Sequence, residues 1–547
     1  MKSPKGASGR HGRAIMQYRR SIQGMNIGVA LLAFALLAGV SACQRDDESA
    51  TAGVANSAGV DSRPAAVIDI DQASEGVTQH PAPDAGQSVV LSEAELPAGL
   101  ADQWPAARFS SSGPIPAETQ RQGDVQAGRT ALLEAAYVSC GLPERVFRQL
   151  LDDADVVEIS GRTEAARGLP YSVNILQNDK GDRIVSSNCL TCHATPLFGE
   201  LVVGLGNEFL DFTGDASAQA ERAGLLVDGP AETAIWELFA DRMAAIAPYI
   251  RPHTVGVNPA NNLTAALIAH RHADDNAWSD TPLLPLPPQD PPPVSVPPWW
   301  RMQKKPAMFN MGEGRGDHAR LMMSASMLCS DNIDELERID AYAPDIRAFI
   351  ASLEAPPWPF ELDTALAGEG RQLFEQTCSR CHGSYGDQPE YPARLVPLDI
   401  IGTDPVLVEF ARGEGAAYVD WFNRSYYGLL ATAAPGPGYV APPLDGIWST
   451  APFLHNGSVP SLRAVLDSGS RPVLWRHSAS DASDPDSYDQ VNMGWAFEIP
   501  AEDKNEAAVP QSIYDTRLPG YSNSGHRFGD HFDESQRSAV LEYLKTL

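Results

Sequence analysis

The chain has 547 residues, 43% of them apolar, enough for two or three packed domains rather than one. Its 70 Asp/Glu against 41 Lys/Arg give a formal net charge of −29, which argues against nucleic acid as a partner. Proline, at 44 residues, exceeds its usual share and predicts long loops.

Residues 1–42 read as an export signal. They hold six Lys/Arg and no Asp/Glu, so the remainder carries 35 basic against 70 acidic residues. The basic stretch runs from Lys2 to Arg20, and the apolar run Ile27 to Ala42 is short for a membrane span. Met16 or Met25 are alternative starts. The run ends Val40-Ser41-Ala42-Cys43, which resembles a bacterial lipobox with Cys43 as the lipidated residue. A plain signal peptide cut near Ala42 and an uncleaved anchor are the alternatives. All three put the body outside the cytoplasm, in the periplasm or at the cell surface, in an oxidising space. Residues 43–126 are rich in Ala, Ser, Gly, Asp and Pro, and read as a disordered acidic tether.

The body is expected from residue 127. "AGRTALLEAAYVSCGLPERVFRQLL" has helical spacing with a Gly-Leu-Pro break. The motif Cys189-Leu190-Thr191-Cys192-His193 follows in a loop-like context. "ERAGLLVDGPAETAIWELFADRMAAIAPYI" reads as helical, residues 281–300 as a proline-rich crossing without regular helix, and "IDELERIDAYAPDIRAFIASLEAPPWP" as an amphipathic helical region. From 363, a helical pattern leads into Cys378-Ser379-Arg380-Cys381-His382. A closing helix with Asp533 as N-cap ends the chain. The body thus repeats one plan over 127–362 and 363–547, and strand signals are sparse.

Each Cys-x-x-Cys-His carries a chemical reason. Two thiols three positions apart both reach the vinyl groups of one haem as thioethers, and the adjacent histidine sits under the iron. Zinc needs four ligands, and no further Cys/His pairs lie nearby. A thioredoxin-like reading has no use for the trailing histidine and lacks its βαβ context. Two covalently bound haems c are therefore expected, on Cys189, Cys192 and His193 and on Cys378, Cys381 and His382. The leftover Cys140 and Cys329 suggest a disulfide, with two buried free thiols as the alternative.

"GIWSTAPFLHNGSVPSL" (446–462), "PPWWRMQKKPAMFNMGEGRGDHAR" (297–320) and "LPGYSNSGHRFG" (518–529), with both haem motifs in order, resemble the di-haem cytochrome c peroxidase superfamily. The closer likeness is to its rubber-oxygenase branch, over residues 128–547. The resemblance implies a mainly α fold of two cytochrome c-like domains with long loops. It implies that His526 is the distal ligand of the C-terminal haem, in a loop where Gly525 and Gly529 permit close approach. It also implies an open or O₂-occupied N-terminal haem, and a tryptophan relay between the two. Trp300 is the choice for that relay, with Trp299 in reserve. His318 is expected either to line the first distal pocket or to bind a propionate, with Arg315 and Arg320 as propionate partners. His455 is expected in scaffolding or haem-edge contact, and Met308, Met311 and Met493 as core filler.

The expectation is an exported di-haem oxidoreductase acting on O₂ or H₂O₂. An unknown organic substrate and a small electron-donor or acceptor protein are its expected partners, and Cys43 its membrane anchor. The alternatives are a peroxidase with His318 or Glu313 as distal acid/base group, and a pure electron-transfer cytochrome.

Overall fold

The computed structural model describes residues 113–151, 156–500 and 510–547. The export segment, Cys43 and most of the tether lie outside the described residues. Helices and short 3-10 turns dominate, and the strands, two to five residues long, form six small sheets among the described residues.

The folded body starts earlier than the expected residue 127. Ile115 is buried, and its amide donates to the Ala393 carbonyl. Arg121 bridges Asp317 and Asp340, at 2.8 Å to each. Asp124 caps helix Val125–Glu134 by accepting from the Ala127 amide. Ion pairs and backbone bonds hold this stretch with little apolar area, which is why composition marks it as tether.

Two helix crossings organise the body. Helix Val125–Glu134 crosses Ala343–Ala351, and helix Thr364–Thr377 crosses the closing helix Glu534–Leu544. Both crossings depend on a glycine. A Cβ on Gly128 would stand 1.9 Å from the Asp345 carbonyl oxygen, and one on Gly370 would stand 1.8 Å from that of Ala539. Backbone packs on backbone at both points. Asp533 starts the closing helix through a capping box with Gln536.

The surroundings of the first motif differ from the expected loop. Antiparallel strands Val173–Gln177 and Arg183–Ser187 lead into a single helical turn, Leu190–His193. The hairpin Ala194–Leu197 and Glu200–Val203 then leaves it. Cys140 and Cys329 form a disulfide that ties the start of the body to the segment before helix Ile333–Asp340.

Two large apolar cores fill the body, and they do not follow the 362/363 line. Tyr418, Trp421, Phe422 and Tyr427 belong to the first core, where the Trp421 indole donates to the Arg271 carbonyl at 2.7 Å. Leu197, Leu205 and Trp300 belong to the second. The two halves therefore interleave. Among the described residues no helix is long and apolar enough to cross a membrane.

Candidate functional site

Helix Thr364–Thr377 delivers Cys378, and one further turn brings round Cys381 and His382. The His382 ring Nδ1 lies 2.8 Å from the Pro442 carbonyl oxygen. As donor to that oxygen, Nδ1 fixes the tautomer and leaves Nε2 free to face a cavity lined by Cys378, Cys381, His382 and His526. His526 stands across that cavity, its ring centre 6.2 Å from that of His382. With metal–nitrogen bonds of about 2.0 Å, two imidazoles on opposite sides of one metal ion have ring centres about 6 Å apart. The pair fits a six-coordinate iron.

The loop carrying His526 is held in a constrained shape. His526 has φ 45° and Gly525 φ 74°. A Cβ on Gly525 would meet the Gly402 carbonyl carbon at 2.2 Å, so only glycine passes there. The His526 amide donates to the Ile401 carbonyl at 2.7 Å. Arg471 clamps the loop from behind, donating to the carbonyls of Asn523 (2.6 Å), Gly525 (2.7 Å) and His526 (3.1 Å). Burial, then the neighbouring His382 and Arg471, pushes His526 down to about 3. Both rings are thus neutral, the form that ligates metal.

The cysteines are kept as thiols. Burial pushes Cys378 up to about 12 and Cys381 to about 11, with Cys189 at about 11 and Cys192 at about 12. A reactive redox thiol needs the opposite shift. Among the described residues no group of three or more His, Cys, Asp or Glu side chains gathers to hold a metal ion.

The charged wall of this cavity was missed in the sequence. Arg301 and Lys305 line it. Arg301 donates through Nε to the Asp445 carbonyl at 3.1 Å, while its buried Nη2 has no partner. Burial and Arg301 push Lys305 down to about 8. An orphaned guanidinium nitrogen and a lysine in one wall suit the two carboxylates of a haem. The only hint in the sequence is that Arg301 follows directly on the double tryptophan, with Lys305 four residues further on. Arg471 offers no hint of its loop contacts, because those three acceptors lie more than fifty residues away.

At the first motif, Asn188 sets the turn. Its amide donates to Tyr171 O (2.8 Å) and Asn174 Oδ1 (2.9 Å), and its Oδ1 accepts from the Leu190 amide at 2.9 Å. The Asn207 amide holds the Cys192 carbonyl (2.9 Å), and the Gly204 amide holds that of His193 (2.7 Å). The His193 ring is buried, pushed down to about 4, and stacks on Trp299 with centres 4.8 Å apart. No second histidine ring pairs with it among the described residues.

The tandem tryptophans divide between the two cores. Trp299 stacks on His193. Trp300, only 1% exposed, packs in the second core and donates to the Asp445 carbonyl at 2.8 Å. Pro297 and Pro298 line the second cavity. Within residues 297–300, Trp299 therefore touches the first site and Pro297 and Pro298 the second.

His318 is 1% exposed, and neither of its ring nitrogens has a partner. Burial, then Arg347, pushes it down to about 4, with Lys305 contributing. Arg320 does not fit the expected propionate role: its guanidinium is taken up by Asp340 (2.8 Å) and the Tyr426 carbonyl (2.6 Å). Arg315 sits on strand Gly314–Gly316, donates to the Gly312 carbonyl, and is not in the wall of the second cavity. His455 lines that cavity and stacks on Tyr439 at 3.9 Å. Met311 and Met493 are buried in apolar clusters, and Met308 packs against one.

Residues 438–476 match a family model described as RoxA-like, cytochrome c-like. The match supports the cytochrome c family. The matched segment supplies much of the cavity wall, including Pro442, Ile447, His455, Leu462 and Leu466, and also carries Arg471. A cytochrome c-like segment implies covalently bound haem c. Two proteins of Sinorhizobium fredii (strain NBRC 101917 / NGR234) are similar to the chain. The uncharacterized protein y4iJ is 28% identical over 320 residues, covering 44% of this chain and 51% of its own length. The uncharacterized protein y4iM is 31% identical over 199 residues, covering 32% of this chain and 44% of its own. The chain spans about half the length of the curated relatives it matches.

Proposed function

We propose that the chain is an exported oxidoreductase carrying two haems c, one at each Cys-x-x-Cys-His. A haem held by Cys189, Cys192 and His193 would supply O₂ or peroxide chemistry, and one held by Cys378, Cys381 and His382, with His526 opposite, would supply electron transfer. The observation that carries this reading is an asymmetry. His382 faces His526 across a cavity at 6.2 Å, whereas His193 has Trp299 against its ring and no histidine opposite among the described residues. A filled sixth position suits electron transfer, and an open one suits oxygen chemistry.

Haem supplies the redox and oxygen chemistry when bound. The residues of this chain do the rest. His193 and His382 hold the two irons. Pro442, through its carbonyl, orients His382, and Arg301 and Lys305 receive the haem carboxylates of the second site. Trp299 and Trp300 would form the bridge between sites, with Trp300 held by the Asp445 carbonyl. The resemblance of 297–320, 446–462 and 518–529 to the rubber-oxygenase branch favours O₂ and an apolar organic substrate. Cys43 provides a lipid anchor at the membrane, in the periplasm or at the cell surface, and a small redox protein exchanges electrons with the second site.

A peroxidase reading would take its acid from Glu313, which burial pushes up to about 7, near the pH at which a general acid works best, with His318 held neutral. Lys305 and Tyr439, which feel the Glu313 charge, line the second cavity, so this acid would serve that site. One set of measurements separates the readings. A pyridine haemochrome assay is expected to give two haems c per chain. Spectra under argon, O₂ and H₂O₂, with product analysis, are expected to change at one haem only. Silence to both oxidants favours a pure electron-transfer cytochrome instead.

A further inference from the structure

We propose that Glu208 is a proton-binding site coupled to the redox state of the N-terminal haem. The proposal rests on reading Cys189–His193 as a haem attachment site. Glu208 is 4% exposed and is none of the proposed axial ligands. Its Oε1 accepts two hydrogen bonds, from the Ser295 hydroxyl at 2.8 Å and the Val296 amide at 2.7 Å. Its Oε2 is buried and has no partner. Ser295 and Val296 line the second cavity, and Asn207, the residue before Glu208, holds the Cys192 carbonyl at 2.9 Å. The carboxyl therefore stands in the partition between the two sites, with one oxygen tied and one oxygen open to a proton.

The surroundings favour exchange of that proton. Burial pushes the carboxyl up to about 8, against the two hydrogen bonds that pull it down, and no cation enters the balance. The ionisable groups that face it are Tyr514 and Cys192, each of which feels its charge. Cys192 is a thioether once haem is attached. His477, packed on Phe209 at 4.7 Å, and His455, whose carbonyl accepts from the Ser295 amide, both stay neutral through burial. A negative charge on Glu208 is thus uncompensated. An electron added to the nearby iron makes that charge costlier, so a proton from solvent binds Oε2 as the electron arrives. One electron enters the iron from the external reductant, one proton enters the carboxylate, and net charge in the partition is conserved.

The test is a spectroelectrochemical titration of the di-haem protein between pH 5 and 10, each haem followed by its own spectrum. The N-terminal haem midpoint is expected to fall as pH rises through the neutral-to-alkaline window, by up to about 59 mV per tenfold change in proton concentration. Glu208→Gln mimics the protonated acid and is expected to flatten this dependence with both haems retained. Ser295→Ala removes a hydrogen bond to the carboxylate, raises its pKa, and is expected to move the window to higher pH. A purely structural glutamate would leave that window unmoved. An unchanged slope in Glu208→Gln, a slope confined to the C-terminal haem, or a flat wild type with two haems overturns the proposal. Absence of haem at Cys189–His193 in the haemochrome assay overturns the underlying reading instead.

Discussion

The two Cys-x-x-Cys-His segments sit on the same scaffold and end in different surroundings. In each half, a helix on the N-terminal side crosses a closing helix at a glycine pressed on backbone, Gly128 on Asp345 and Gly370 on Ala539. Beyond that shared crossing they diverge. The second motif is reached directly from its long helix, and its histidine looks across a cavity at His526. The first is reached through a β-hairpin, and its histidine lies against Trp299. A cysteine pair fixes where a haem attaches, whereas the far side of the iron depends on which loop is pinned there. In the second half that loop is 518–529, pinned by Arg471 and by the Gly525 contact with Gly402.

The largest expected effect breaks this asymmetry at His526. His526→Ala is expected to abolish the six-coordinate, low-spin spectrum of one haem while both haems remain attached. His318→Ala is expected to leave that spectrum intact and to alter only the response of the other haem to O₂ or peroxide. An unchanged spectrum in His526→Ala refutes the ligand assignment, and low-spin loss in His318→Ala reverses the two sites.

The next effect tests what the halves share. Gly128→Ala and Gly370→Ala each place a methyl within 2 Å of a carbonyl oxygen, so the helices must separate. Overpacking of this kind costs about 1–3 kcal/mol, and contact with backbone puts both variants at the upper end. Thermal unfolding of the two variants is expected to show losses of similar size. A tolerated Gly128→Ala beside a damaging Gly370→Ala would mean that only the second crossing is tight.

Features whose chemistry is local are the ones the sequence can display. The cysteine pairs and their histidines stand out as candidate attachment sites because such a site needs only five consecutive residues. Helices with caps were legible too, Asp533 among them. His526 lies 144 positions from His382 and came only through resemblance. Arg301 and Arg471 carried little local sign of their roles, because the Asp445 carbonyl and the 523–526 loop are brought to them by the fold. Arg320 looked like an anion binder by composition, yet Asp340 had already claimed it. The hairpin before Cys189 had a signal that was passed over: Val173, Ile175 and Ile184, Val185 flank the turn "NDKG", a strand–turn–strand pattern. The start of the body was hidden because residues 113–126 pack through Arg121 and backbone bonds rather than apolar faces.

The smallest effect is a two-sided pH dependence of stability. His318 in the first half, and His455 and His477 in the second, are pushed down to about 4, about 3 and about 4, burial being the main cause. Their folded pKa values lie below the unfolded value near 6.5, so the unfolded chain binds more protons in between. Stability is then lost as pH falls from about 6.5 toward 4, by up to about 1.4 kcal/mol per pH unit for each proton. Glu208 and Glu313, in the first half, are pushed up to about 8 and about 7. Here the folded protein binds the extra protons, so stability is lost as pH rises from about 4.5 to those values and is level above them. Unfolding midpoints of the di-haem protein are therefore expected to peak near pH 6. His477→Phe, which keeps an aromatic ring against Phe209 and Trp475, is expected to blunt only the acid limb, and Glu313→Gln only the alkaline one. If either variant flattens both limbs, the histidines and the carboxyls titrate as one unit and the assignment of the two limbs fails.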